Sequence, residues 1–300
     1  MSKKDIRTVD EKKDVKMGAM LTEIYQSDME LCMKILGPDM RTKAVNRGKN
    51  EVNLVYSQEY EPEDRIILEI SAEAAWIWLQ FDDAVGKSLV YVTGNVNYLI
   101  PFAEKRINLS PKAFYGNKHL LCARMAKDFE INAYRNLAVN VCDQHHLKNC
   151  YPHATANVET RGESVFAAQN AIDGITVNSC HGEWPYQSWG INMQEDAKIR
   201  LEFGRKVEID MIILYTRADF PHDNWWKSVN FTFSDGSVLE MKMEKSQQPH
   251  EIEFASKQIC WIEMDRMVKS EEPSPFPALT QIEVYGREMR TATDRSKNGQ

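Results

Sequence analysis

From residue 52 onward, the chain is a succession of short apolar runs separated by turn residues. RIILEI (65–70) is almost wholly apolar. In AWIWLQF (75–81), Ile77, Leu79 and Phe81 share one face, and Trp76, Trp78 and Gln80 the other. KSLVYVTG, RINL and HLLCARM follow with turn residues between them. Many short strands with this punctuation predict a β-sandwich. FEINAYRNLAVNV (129–141) fits either a last strand or a short helix, and periodicity does not decide between them.

The second half keeps the same rhythm with a clearer register. KIRLEF and VEIDMIILYTR predict strands, the second apolar on both faces and therefore central. VNFTFSDGSVLEMKM predicts a hairpin turning at Asp235-Gly236. After that turn Leu239, Met241 and Met243 point one way, and Glu240, Lys242 and Glu244 the other. EIEF, ICWIEM and QIEVYG complete the set. Strands do not alternate with long helical patterns, which argues against a parallel α/β fold.

Two segments depart from this rhythm. GAMLTEIYQSDMELCMKIL (18–36) carries apolar pairs at i, i+4: Met20 with Ile24, Leu21 with Tyr25, Leu31 with Ile35. This spacing predicts a helix stopped by Gly37-Pro38. It would pack on its own domain or, alternatively, serve as a docking helix or dimer contact. CDQHHLKNCYPH (142–153) loses the alternation and predicts a linker, with its core at 146–153. Cys142, His145 or His146, Cys150 and His153 are chemically able to hold zinc, but they lack the tight paired-cysteine spacing of a structural site. The favoured reading is packed cysteines and solvent-facing histidines.

Length, charge and cysteine content narrow the class. A chain of 300 residues suggests two domains. The expected division is a lead and helix (1–37), a first sandwich (38–145), the linker (146–153), a second sandwich (154–288) and a tail (289–300). A formal net charge of -7 disfavours nucleic acid and anionic membrane as partners. The sequence has neither the apolar core of a signal peptide near its start nor a run of roughly 18 apolar residues, so a cytoplasmic location is expected. Six cysteines in a chain of this length do not form a disulfide framework.

Residues 154–286 resemble the discoidin family, the C-type domains of coagulation factors and related bacterial carbohydrate-binding modules. ATANVETRGESVFAAQNAIDG is similar to the family's small-residue stretch ending in an A-x-D-G turn. WPYQSWG, LEFGRKVEIDMIILYTR, FSDGS and ALTQIEVYG follow in the family's order. Residues 50–145 resemble, more loosely, the jelly-roll domains attached to glycoside hydrolases, through YLIPFAEKRINLSPKAFYGNKHLLCARM. The resemblance implies an all-β protein: two galactose-binding-like β-sandwiches of jelly-roll type, here with a short N-terminal helix. Such folds host many functions, so the site has to come from residues.

Saccharides present flat C–H faces and hydroxyl rims, which call for aromatic platforms and planar polar groups on loops. Three stretches carry that chemistry. CHGEWPYQSWG offers His181, Glu183 and Trp184, with Tyr186 and Trp189 beside them. RADFPHDNWW offers Arg217, Asp219, His222, Asp223, Trp225 and Trp226. SEEPSPFPAL offers Phe276. Of the adjacent Trp225 and Trp226, one should face the core; as scaffold alone, Arg217 and Asp219 would simply pair with each other. The resemblance also implies a structural calcium ion held by Asp173, Thr280 and Glu283, which would stiffen the loops. As scaffold alone, Asp173 would cap its own turn.

The expected function is a non-catalytic carbohydrate-binding protein whose partner is a saccharide or glycan. One alternative is a protein-interaction module using the same loops, or a homo-oligomer formed through the N-terminal helix. A second is a glycosidase using Glu183 with Asp219 or Asp223, which would require two carboxyls about 5–9.5 Å apart across a cleft.

Overall fold

The computed structural model describes residues 28–289, which form two antiparallel β-sandwiches. In the first, β1 (Glu30–Leu36), β2 (Thr42–Lys49), β4 (Arg65–Ile70) and β7 (Val96–Leu99) form a four-stranded sheet in the order β2-β1-β4-β7. Facing it, β3 (Glu51–Tyr56), β5 (Ala75–Gln80), β6 (Ser88–Val92), β8 (His119–Met125) and β10 (Cys150–Tyr151) form a sheet in the order β10-β6-β5-β8-β3. The predicted split of residues 75–81 between two faces holds. Ile77, Leu79 and Phe81 lie in the core between the sheets, whereas Trp76 belongs to a separate cluster with Leu89, Ala126 and Ile131.

Residues 30–36 form a strand, not the predicted helix; the rest of that segment, 18–27, lies outside the described residues. The physical reason is degeneracy. A spacing of four residues puts Leu31 and Ile35 on one face of a helix, and equally on one face of a strand with Met33 between them. All three are buried in the first core, and pairing with β2 and β4 selects the strand. RINL is also not a strand. It begins at the last residue of a 3₁₀ turn, Ala103–Arg106, and Asn108 reaches across to the second sandwich. The undecided stretch 129–141 contains both elements, a helical turn at Asp128–Ile131 (α1) and a two-residue strand, β9 (Arg135–Asn136).

The second sandwich is one hydrogen-bonded sheet of eight strands folded over its own core. β13 (Ile199–Thr216) and β16 (His250–Lys269) are its two long strands. β17 (Ala278–Glu288) and β12 (Trp189–Gly190) lie on one side of them, and β14 (Trp226–Phe233) and β15 (Val238–Lys242) on the other. β11 (His153–Ala156) and β9 pair at the margins with β13 and β17. The register of β13 against β16 breaks between Glu202 and Val207, as at a β-bulge. The hairpin forms at Asp235-Gly236, with Met241 and Met243 turned inward as predicted.

The segment predicted as a linker is packed, not free. Arg135–Ala138 joins the second sandwich, through β9 and through Leu137 and Ala138 in its core. The chain then returns, and Cys142, Leu147 and Cys150 are buried in the core of the first sandwich. His153 is bonded to Asp143, Nδ1 to Oδ1 at 2.7 Å, and His145 to Glu159 at 2.7 Å. The apolar residues among the polar ones (Cys142, Leu147, Cys150) explain why the stretch buries. Burial pushes the Cys142 thiol up to about 12, as expected for a packed thiol. All six cysteines are free.

A second contact locks the two sandwiches together. Arg205 lies over the ring of Trp76 at 4.1 Å, and Arg135 over the same ring at 5.6 Å. Both guanidiniums bind Glu288 Oε1, at 2.7 and 2.9 Å. Tyr151, at the end of β10, closes against Gly204 of the second sandwich.

Candidate functional site

The three aromatic loops meet at one end of the second sandwich. The end of β13 delivers Arg217, whose guanidinium faces the Asp223 carboxylate with Nε 3.0 Å from each oxygen. Asp223 Oδ2 also accepts from the amide of Asp219 at 2.9 Å. Arg217 and Asp223 are almost wholly buried, so this pair is the internal brace of RADFPHDNWW. The scaffold alternative, a pair between Arg217 and Asp219, is not made: Asp219 contributes its amide, and Asp223 is the partner of Arg217. As a buried brace, Asp223 and Arg217 are also withdrawn from direct contact with solvent.

Asn224 ties this loop to 270–276. Its side-chain amide donates to the carbonyls of Glu272 and Ser274, its own N–H donates to the Phe276 carbonyl at 3.2 Å, and Ser270 Oγ donates to its Oδ1 at 2.7 Å. Ser274 Oγ donates to the His222 carbonyl. Of the adjacent tryptophans, Trp226 is in the core and Trp225 is half-buried, with its indole N–H donated to Glu272 Oε1 at 3.1 Å. Trp226 is thus removed from the candidate ligand-binding set. Trp189 is in the core with its indole N–H on the Val158 carbonyl, while Trp184 stays half-buried on the loop.

These braces hold a row of rings at the surface. The His181 and His222 rings lie 4.1 Å apart, centroid to centroid, and His222 stacks on Phe276 at 6.0 Å and 28°. On the other side His181 meets Tyr186 edge-on at 6.0 Å, and Tyr186 meets Phe166 at 6.5 Å. His181, His222 and Phe276 are exposed and Tyr186 is half-buried. Burial first, and then the positive charges of Arg217 and His222, hold the His181 pKa below the ordinary imidazole value. Glu183 is exposed at the rim of the same loop. Phe166 was not singled out in the sequence; it sits in a short 3₁₀ turn with no aromatic neighbour in the chain to mark it.

The residues expected to hold calcium are engaged separately. Asp173 accepts from the Ile175 amide at 2.8 Å and from Gln187 Nε2 at 2.9 Å, and its carboxyl is pushed up to about 7 by burial. Glu283 accepts from the Tyr285 hydroxyl and is also raised by burial, while Thr280 is buried on β17. Among the described residues, no three His, Cys, Asp or Glu side chains lie close enough together to hold a metal ion. Among the described residues, no helix is long and apolar enough to cross a membrane.

A family model described as "Domain of unknown function (DUF7402)" matches residues 149–275. No curated protein matches. Among solved structures, chitosan-binding module 1 from the chitosanase/glucanase of Paenibacillus sp. IK-5 is 19% identical, with 50% of this chain and 98% of that one covered and a TM-score of 0.36. The lectin domain of lectinolysin, solved with Lewis B antigen, is 18% identical, covering 51% and 97%, with a TM-score of 0.38. The family 32 carbohydrate-binding module of NanJ from C. perfringens, solved with galactose, is 16% identical, covering 44% and 91%, with a TM-score of 0.35. At such scores the likeness says nothing of what this chain binds.

Proposed function

We propose that this protein is a non-catalytic carbohydrate-binding protein that holds a saccharide against the His181–His222–Phe276 rings at the end of its second sandwich. The observation that carries this reading is the convergence of three sequence-distant loops on one exposed ring row, with His181 and His222 at 4.1 Å and Phe276 stacked beyond. Flat rings suit the C–H face of a sugar. Imidazole nitrogens and the rim carboxylates of Glu183 and Asp219 suit its hydroxyls. One small sugar buries little surface, so the affinity should be on the order of 1 mM to 1 μM.

The test is a glycan array followed by calorimetry on the wild type and on His222→Ala/Phe276→Ala. Trp226 is not a useful control, because its removal would open the core. Saccharide binding that drops at least about tenfold in the double variant, the cost of one lost platform, supports the reading. A folded wild type that binds nothing across the array overturns it.

A further inference from the structure

The ring row stands in an uneven field of charge. The charges that act most on His181 and Tyr186 belong to Arg217, Asp223, Asp219, His222, Arg161 and Glu163. Both guanidiniums among them are already committed. Arg217 is held by Asp223 in the buried brace, and Arg161 by Glu163 at 2.6 Å. On the Phe276 side, Lys227 pairs with Glu271 at 2.5 Å and Lys245 with Glu272 at 2.8 Å. Lys269 stands beside Glu271, away from the groups that act on the row. Burial, then Arg217 and His222, hold the His181 pKa below the ordinary imidazole value, so that ring adds no cation near neutral pH.

Two carboxylates are left over at the rim. Asp219 gives its amide to Asp223 Oδ2, and its carboxylate has no ion-pair partner among the described residues. Glu183 receives one weak contact, from the Cys180 thiol at 4.0 Å. Glu183 is exposed and Asp219 half-buried, and neither carboxylate has an oxygen both sealed and unpartnered.

This field separates classes of saccharide. A sugar carrying a carboxylate or sulfate would meet Glu183 and Asp219 while both nearby guanidiniums are committed elsewhere. A neutral sugar would leave the two negative charges unanswered. A protonated amine brings three donors. It makes charge-assisted hydrogen bonds to carboxylates, and it is attracted to the face of a ring such as Phe276 or Tyr186.

We infer that the ring row selects saccharides carrying a protonated amine, which Glu183 and Asp219 receive at its rim. Such a selection rests on the saccharide-binding reading above and adds to it the sign of the ligand's charge.

NMR titration of the imidazole C2–H signals tests it with matched sugars: glucosamine against N-acetylglucosamine, and galactosamine against N-acetylgalactosamine. In each pair the ring is the same and only one member carries the charge. A pH of about 7 lies above the ordinary imidazole value and below the ordinary amine value. Glucuronic acid is the anionic probe, and Nα-acetyl-lysine amide is an amine without a sugar ring. In at least one pair the amino sugar should bind at least about threefold tighter than its acetylated partner, the size of preference that exposed ion pairs give. Glucuronic acid should bind weakest, and the preference should shrink towards one at about 1 M salt. In Glu183→Gln/Asp219→Asn the ratio of the two dissociation constants should fall to about one. Glu183→Gln alone, at an exposed position, should lower the ratio and decides the matter if the double variant does not fold.

Sugars that bind without preference for the amine overturn the inference and leave the saccharide reading standing. A preference that survives both carboxylate variants, or Nα-acetyl-lysine amide binding as tightly as the amino sugar, overturns it as well. A folded wild type that binds none of the sugars overturns the saccharide reading and this selection with it.

Discussion

The Arg217 guanidinium faces the Asp223 carboxylate with Nε at 3.0 Å from both oxygens, and neither group reaches solvent. A pair like this shapes a loop more than it stabilises a fold, because desolvation offsets most of its Coulomb energy. Breaking it is another matter. Asp223→Ala leaves a buried guanidinium without its counter-charge and should cost about 3–5 kcal/mol. Asp219→Ala removes a carboxylate outside the pair and should cost no more than about 0.5 kcal/mol. Urea unfolding of the two variants separates these outcomes. Equal costs would mean that the brace is not where the geometry puts it.

The seam between the sandwiches can be tested at a glycine. Gly204 has φ +68°, and a Cβ there would lie 2.3 Å from the ring of Tyr151. Gly204→Ala should therefore cost about 2–4 kcal/mol, part from the left-handed backbone and part from overpacking. Gly116 provides the control, with φ +88° and open space around its Cβ. Gly116→Ala should show only the backbone part, about 1–2 kcal/mol. If thermal or urea unfolding shows the same loss for both, Tyr151 does not close on β13 as described.

The strands were legible because alternation is local. Ile77, Leu79 and Phe81 point one way in the sequence and do so in the fold. The hairpin was legible because Asp235-Gly236 carries its own turn chemistry. The segment 30–36 was not, because Leu31 and Ile35 satisfy two periodicities at once and only the neighbours β2 and β4 choose between them. The aromatic loops could be found because chemistry is dense there, but their internal assignments could not. Whether Arg217 takes Asp219 or Asp223, and whether Trp225 or Trp226 faces inward, depends on the loop's path. The contact between Asn108 and Asn170 was invisible, since it joins two unremarkable amides 62 residues apart.

The salt link beside α1 gives a stability prediction with a definite sign. Arg124 holds Glu130 at 2.6 and 2.8 Å, and the Lys127 amide also donates to it, so the Glu130 carboxyl falls to about 2. Its folded value lies below the ordinary glutamate value near 4.3. The stabilisation is therefore fully present above about pH 5 and is lost as the pH falls towards 2. Arg124 is partly exposed, and solvent screening holds the gain to about 1 kcal/mol. Glu130→Gln should be less stable than the wild type by that amount at pH 7, and the gap should close as the pH falls through about 2. A difference that does not shrink on acidification would show that the link is not ionic.

The ring row gives the functional counterpart. Burial, then Arg217 and His222, depress the His181 pKa below the ordinary 6.5. The neutral ring is the favoured form, so its contribution is intact above pH 6.5 and is lost as the pH falls through the depressed value. A charge on His181 would then stand beside Arg217 and 4.1 Å from the His222 ring, which opposes the close approach of the two rings. Proton NMR of the imidazole C2–H should show a His181 midpoint below 6.5 that moves upward in His222→Phe, since that change removes one opposing charge. Saccharide affinity should weaken on the same curve. A His181 midpoint at or above 6.5 would mean that the ring is neither buried nor close to those charges. A normal shift with pH-independent binding would place the saccharide away from His181.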